Sequence, residues 1–193
     1  MNARATYQDV LDAPPHQVAE LIDGRLYLQP RPRIAHADVG AVLGMMIGAP
    51  FRLGRGGPGG WDILDEPELH VGDDVLVPDL AGWLRSEQGE LDLTAAFETR
   101  PPVWVCEVLS PSTRRHDRIR KMPCYLAAGV QWIWLVSPED QTVEVFQARG
   151  GAWTLVHALD DAKEHRLEPF EAVALDFSEL WPARPGPGRV EGD

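Results

Sequence analysis

Two apolar runs in this chain each carry a single carboxylate, and few folds can accommodate such a pattern. Residues 103–109, VWVCEVL, hold Glu107, and residues 75–84, VLVPDLAGWL, hold Asp79. An ionised carboxylate inside an apolar strand is costly unless a cation or a metal pairs with it. The run around Glu107 opens a longer unit over residues 103–136, VWVCEVLSPSTRRHDRIRKMPCYLAAGVQWIWLV. It reads as a buried strand, a Ser/Pro loop, a charged helix and a second buried strand.

Bulk properties narrow the setting. The chain has 193 residues, 44% of them apolar and 25% charged, which suits one globular domain over residues 1–181. No apolar run approaches the ~20 residues of a membrane span, and residues 1–20 lack the apolar stretch of a secretory signal. Cys106 and Cys124 match neither a zinc pattern nor a disulfide framework, so a cytoplasmic location is expected. The net charge of −12 argues against a general nucleic-acid coat protein. The positive charge is concentrated, however: Arg114, Arg115, Arg118, Arg120 and Lys121 follow directly on Glu107, and Arg25, Arg31 and Arg33 form a smaller group. Of 18 basic residues only Lys121 and Lys163 are lysine. An ammonium that persists in an arginine-rich chain marks a place where a guanidinium would not serve.

The local signals order the rest. Thr6 caps a short N-terminal helix. VAELI-DG-RLYLQP is a hairpin turning at Asp23-Gly24, with Glu20 on the same face as Val18 and Ile22. Residues 34–47 form a helix whose apolar stripe is Ile34, Val39, Val42, Leu43, Met46 and Ile47, with His36 read as a cap or surface residue. The stretch GAPFRLGRGGPGG is a connecting loop. Strands are expected over 61–71 and 75–84, joined by a turn at Gly72-Asp73-Asp74. A helical turn is expected over 93–97. The helix over 113–128 ends at Gly129 but carries Pro123 in its interior, which forces a kink or a late start. Thr142–Gln147 and Ala152–Val156 form a second hairpin, Phe177–Trp181 a closing helical turn, and residues 182–193 a disordered tail.

Four stretches, AELIDGRL, VPDLAGW, residues 105–136 and TVEVF, resemble the Uma-two family of endonucleases in the PD-(D/E)XK superfamily. The resemblance implies an α/β fold of α+β type: a restriction-endonuclease-like mixed β-sheet core flanked by helices, with the hairpin at its N-terminal side. It also implies Mg²⁺ or Mn²⁺ as cofactor. Residue by residue, Pro78-Asp79 matches the PD half of the motif and Glu107 its second acid, which makes Asp79 and Glu107 the metal ligands. The usual lysine slot, two residues on, holds Leu109, and the family's displaced lysine falls on Lys121. Glu20 matches an N-terminal acid that orients a metal-bound water. Asp117 and Tyr125 also match family positions.

The chemistry asks for these residue types. A hard cation prefers carboxylate oxygens, lowers the pKa of bound water and screens phosphate, while an ammonium stabilises the developing anion. Asp117, Lys121 and Tyr125 recur at i, i+4 and i+8 on one helical face, and Ile119, Met122 and Leu126 are expected to pack on the core from another. The bland alternatives are a strand-ending Asp79, a Glu107 paired with Arg118 or Arg120, and a Lys121 paired with Asp117 on a solvated face. Cys106 is rejected as a nucleophile because alternation turns it away from Glu107. The expected function is metal-dependent endonucleolytic hydrolysis of DNA, with the substrate bound weakly and salt-sensitively through Arg114, Arg115, Arg118 and Arg120. A homodimer is allowed and no membrane partner is expected. The alternatives are a degenerate nuclease-fold protein that binds nucleic acid or a protein partner, and an unrelated metal-dependent hydrolase using Asp79 and Glu107.

Overall fold

The computed structural model describes residues 4–161 and 163–181, and in it the alternating runs become strands of a large mixed sheet and a small antiparallel one. Helix α1 (Tyr7–Leu11) leads into the hairpin β1 (Gln17–Ile22) and β2 (Arg25–Pro30). Ile22 pairs with Arg25, leaving the two-residue turn Asp23-Gly24, both at positive φ, as the Asp-Gly signal requires. Helix α2 (Ile34–Ile47) runs on into a π-helical turn over Gly48–Arg52, so the first part of the Gly/Pro stretch is helical rather than loop. This 19-residue helix is long and apolar enough to cross a membrane. Its residues Val39, Leu43, Ile47 and Phe51 are instead buried in the core beside the large sheet.

The two long strands expected over 61–71 and 75–84 are each broken. The first becomes β3 (Trp61–Asp65) and β4 (Leu69–Val71), and the second β5 (Asp74–Leu76) and β6 (Leu80–Leu84). Glu66, at a positive φ of 43°, and Pro67 interrupt one run. Pro78, with no N–H to give a ladder, interrupts the other. The chain crosses between sheets at both breaks: β4 and β5 belong to the small sheet β2-β1-β5-β4, β3 and β6 to the large one. Asp79 therefore stands at a junction between strands, not within one.

The large sheet has the order β10-β9-β8-β7-β6-β3, completed by β7 (Trp104–Val108), β8 (Trp132–Ser137), β9 (Thr142–Arg149) and β10 (Ala152–Leu159). All neighbours are antiparallel except β7 and β8. Those two are parallel and are bridged by helical segments α4 (Arg114–His116) and α5 (Met122–Ala128). A short α3 (Arg85–Gln88) follows β6, while residues 93–97 form turns and no helix. The pair β11 (Glu164–His165) and β12 (Leu175–Asp176) and a 3₁₀ turn at Phe177–Glu179 close the described chain. The tail read over 182–193 lies outside the described residues.

Alternation along β7 sorts the core. Trp104, Cys106 and Val108 face α2 and the C-terminal aromatics Phe170 and Phe177. Val105 and Leu109 face the other side, toward Met122 and Tyr125 of α5 and Ile22, Leu69 and Leu76 of the small sheet. Glu107 shares that second side by the same alternation. Within the first cluster, Gly82 of β6 leaves room for the rings of Trp61 and Trp104. A Cβ there would stand 3.2 Å from a ring carbon of each and 3.1 Å from Ile63 Cδ1. Gly82→Ala should therefore lower stability by ~1–3 kcal/mol through overpacking, despite the entropy an alanine saves. Urea denaturation measures this, and an unchanged or raised midpoint would show that the indole layer yields freely.

Candidate active site

Four elements deliver polar side chains to one buried point, at the place where the small sheet, the large sheet and the α4–α5 segment meet. Glu107 comes from β7 and is 2% exposed. Lys121, 4% exposed, comes from the helix, and its Nζ donates to a Glu107 carboxylate oxygen at 2.9 Å and to the Val77 carbonyl at 2.9 Å. It also lies 3.1 Å from Glu20 Oε1, on β1. The ammonium thus has two hydrogen bonds and a second carboxylate as an ion-pair partner. Tyr125 Oη donates to Glu107 Oε1 at 2.6 Å. Burial opposes the charge on Lys121, but Glu107, Glu20, Asp117 and Asp79 outweigh it and hold the ammonium well above its ordinary pKa. Lys121 is thus a fixed cation. Burial pushes the Glu107 carboxyl well up; Lys121 opposes the rise, while Asp117, Asp79 and Glu20 add to it.

Glu20 is held from three sides. Its Oε1 accepts from the Val77 N–H at 2.9 Å, and its Oε2 lies 2.7 Å from His116 Nε2. Burial works to raise its pKa, but Lys121, His116 and the Val77 amide prevail and lower it, so Glu20 stays ionised. His116 and Lys121 are five residues apart, which a regular α-helix places on different faces. Between α4 and α5, however, Asp117–Lys121 form a π-helical turn, whose wider ring lets both side chains reach one carboxylate. The same turn accommodates Pro123, which enters at the start of α5 instead of breaking a continuous helix.

Asp79 is fixed by backbone and side chain together. Its Oδ2 accepts from the Val108 N–H at 2.6 Å, at the end of β7, and its Oδ1 lies 2.9 Å from His36 Nε2 of α2. Burial disfavours the His36 imidazolium, but the hydrogen bond and charge of Asp79, with Asp117 and Glu66 behind them, raise its pKa overall. Asp117 is buried on the π turn, and its pKa is pushed up to about 6, chiefly by burial; Lys121 opposes this and Asp79 and Glu20 add to it. Glu20, His36, Asp79, Glu107, His116, Asp117 and Lys121 all line one pocket of about 280 Å³. Among the described residues no three His, Cys, Asp or Glu side chains are already arranged as a metal cluster. The donor chemistry nevertheless suits a hard divalent cation: oxygen ligands, and mutual repulsion among Asp79, Glu107 and Asp117 that Lys121 leaves unrelieved.

The structure brings Glu20, Asp79, Glu107 and Lys121 together at this pocket. Two bland pairings fail: Glu107 meets Lys121 and Tyr125 rather than Arg118 or Arg120, and Lys121 is buried rather than on a solvated face. The helix packs in part as expected: Met122 lies in the core beside Tyr125, and Asp117, Lys121 and Tyr125 are buried on the site side, but Ile119, expected to pack on the core, is 55% exposed. The arginine group does not act as one patch. Arg118 is paired with Glu144. Arg120 lines a separate surface hollow with Asp23 and Asp74. Arg114 and Arg115 are exposed, and it is Arg31 and Arg33 that line the pocket. His36 is a site residue and not a surface cap. His116 escaped notice because its signal, a five-residue spacing to Lys121, has meaning only in a π turn.

Comparison with known proteins bears on the family and the fold. The model of the Uma2 family, described as "Putative restriction endonuclease", matches residues 5–178. No curated protein matches the chain. Among solved structures, the crystal structure of "a putative nuclease belonging to DUF820" from Anabaena variabilis superposes with a TM-score of 0.73. It is 23% identical, and the match covers 91% of this chain and 97% of that one, which establishes a shared restriction-endonuclease-like fold.

Two stability measurements test the electrostatics. A carboxyl whose folded pKa is raised, as that of Asp117 is to about 6, contributes fully below its unfolded value; the contribution is lost as pH rises toward 6. Asp117→Asn should therefore be more stable than wild type at pH 7.5 by roughly 1–3 kcal/mol, with the difference vanishing near pH 3.5. A constant difference across that range would remove Asp117 as a strained carboxylate. Lys121→Met leaves Glu20 and Glu107 buried without their cation and should cost about 3–5 kcal/mol at neutral pH. A loss below about 1 kcal/mol would show that the two carboxylates do not need the ammonium.

Proposed function

The chain belongs to the Uma2 family, and from that premise we propose that it is a metal-dependent endonuclease that hydrolyses phosphodiester bonds in DNA. One observation carries the reading: Glu20, Asp79, Glu107 and Lys121, from β1, the β5–β6 junction, β7 and the π turn, meet at one pocket. Asp79 and Glu107 would hold Mg²⁺ or Mn²⁺, as hard oxygen donors whose repulsion a dication relieves. When bound, the metal would activate water and screen the phosphate. The protein's own part is positioning. Lys121 ties Glu107 to Glu20 and to the Val77 carbonyl, and the Val108 amide fixes Asp79. Arg31 and Arg33 at the pocket, with exposed Arg114 and Arg115 beside His116, supply positive charge for a phosphate backbone. The large negative net charge keeps non-specific affinity low. Both cysteines are free thiols, in keeping with a reducing, cytoplasmic compartment.

Metal binding is read without catalysis. Millimolar Mg²⁺ or Mn²⁺ should raise the melting temperature of the wild type, and Asp79→Ala should abolish that increase whatever its own starting stability. An equal increase in the variant would take Asp79 out of the metal site. Supercoiled plasmid should be nicked by the wild type in either metal; failure in both would favour a non-cleaving protein that retains the pocket for binding.

Binding to DNA should weaken steeply with salt. Replacing Arg114 and Arg115 with Ala should reduce the log–log salt slope by about 2, one unit per lost phosphate contact. Arg118→Ala should leave it unchanged, because that guanidinium is committed to Glu144. Identical slopes for the double variant and the wild type would show that this end of the helix faces away from DNA.

A further inference from the structure

The geometry points to His116 as the general base of this site, held by Glu20. The inference rests on the phosphodiesterase reading above and adds to it the residue that moves the proton. Lys121 is the first alternative, and the structure disqualifies it. It donates to Glu107 and Val77 and pairs with Glu20, and the surrounding carboxylates keep it protonated, so it has no lone pair to offer. Glu107 and Asp79 are the second alternative, but as ligands their oxygens would be turned to the cation. Glu20 is the third, and it is already spent: one oxygen takes the Val77 amide and the ammonium, the other the His116 ring.

His116 has what the others lack. It lines the same pocket as Asp79 and Glu107. Its Nε2 lies 2.7 Å from an ionised Glu20, so in the neutral ring Nε2 carries the hydrogen and Nδ1 the lone pair. The Tyr27 ring, 4.9 Å away between centroids, packs against the imidazole and limits its rotation. A carboxylate that fixes the tautomer and orientation of an imidazole is the arrangement other hydrolases use around a histidine base. The charged and titratable groups around the pocket are Glu20 on β1, Tyr27 on β2, Arg31 and Arg33 before α2, His36 on α2, Glu66 after β3, Asp79 at the strand junction, Glu107 on β7 and Asp117 and Lys121 on the π turn. In the step, a water oxygen forms the new bond to phosphorus while the bond from phosphorus to the leaving ester oxygen breaks. His116 takes the water's proton; the leaving oxygen takes one from bulk water, to which His116 later returns its own.

Long-range ¹H–¹⁵N spectra of the metal-free wild type should show His116 as the Nε2–H tautomer above its titration. An Nδ1–H tautomer would overturn the assignment with no variant needed. Kinetically, His116→Ala should lower kcat by 10²–10⁴-fold with KM little changed, and the acid limb of the wild-type pH profile should disappear. Added imidazole should restore part of the rate to His116→Ala. A variant that melts as the wild type does and cleaves at the wild-type rate, or one that loses rate with no imidazole rescue and an unshifted acid limb, would show His116 to be structural. A wild type that cuts nothing defeats the nuclease reading itself, and the tautomer measurement then still reports on the Glu20–His116 pair.

Discussion

The arrangement of the site depends on one buried ammonium. Taking a charge out of water costs several kcal/mol per ion, and only close, complete pairing repays it. Lys121 achieves that with partners on three different elements: Glu107 on β7, Glu20 on β1 and the Val77 carbonyl at the β5–β6 junction. The lysine thereby fixes how the small sheet sits on the large one at this point. It also explains why the chain can afford Glu107 inside an apolar strand. Burial raises the pKa of that carboxyl, Lys121 opposes the rise, and Lys121 and the Tyr125 hydroxyl each donate to one of its oxygens.

That requirement gives the α4–α5 segment a mixed inner face. An ordinary surface helix buries an apolar stripe, yet here Asp117 and Lys121 are inward beside Met122 and Tyr125, and Ile119 is outward. The arrangement is stable because the inward Lys121 meets carboxylates and a carbonyl while Met122 and Tyr125 pack on the apolar cluster. The π turn refines it by bringing His116 and Lys121 onto the two oxygens of Glu20. One local widening of the helix thus resolves the presence of Pro123 and assembles two of the site's contacts.

Much of the scaffold was legible because it rests on local chemistry. Asp23-Gly24 and Gly150-Gly151 could hardly be anything but hairpin turns, and Gly129, at a φ of 92°, caps the helix as its position suggested. The alternation along residues 103–109 correctly separated Glu107 from Cys106, which lies in the opposite core cluster. What failed was continuity. Hydrophobicity ran on through Pro67 and Pro78, so two crossings between sheets read as two long strands. The local signal was present in both prolines, but which sheet each half joins is a tertiary choice. His36 was hidden for a related reason: its partner Asp79 is on another element, and no periodicity relates a helix start to a strand junction.

The lysine shows how a site can keep a charge while changing the residue position that supplies it. In the superfamily pattern that this chain resembles, the ammonium would stand at position 109, two residues beyond Glu107 and hence on the same face of the strand. Here Leu109 packs into the apolar cluster with Met122 and Tyr125. The charge returns to that face from the facing helix, through Lys121. The displacement alters what the ammonium can do. A lysine at the end of a strand can extend toward substrate, but one rooted in a helix must cross the interface, and on the way it meets Glu20, Glu107 and Val77 and is fully engaged. Set in the helix, the lysine organises carboxylates. The proton-accepting role proposed for His116 fits that arrangement, because the Glu20–His116 pair lines the same pocket.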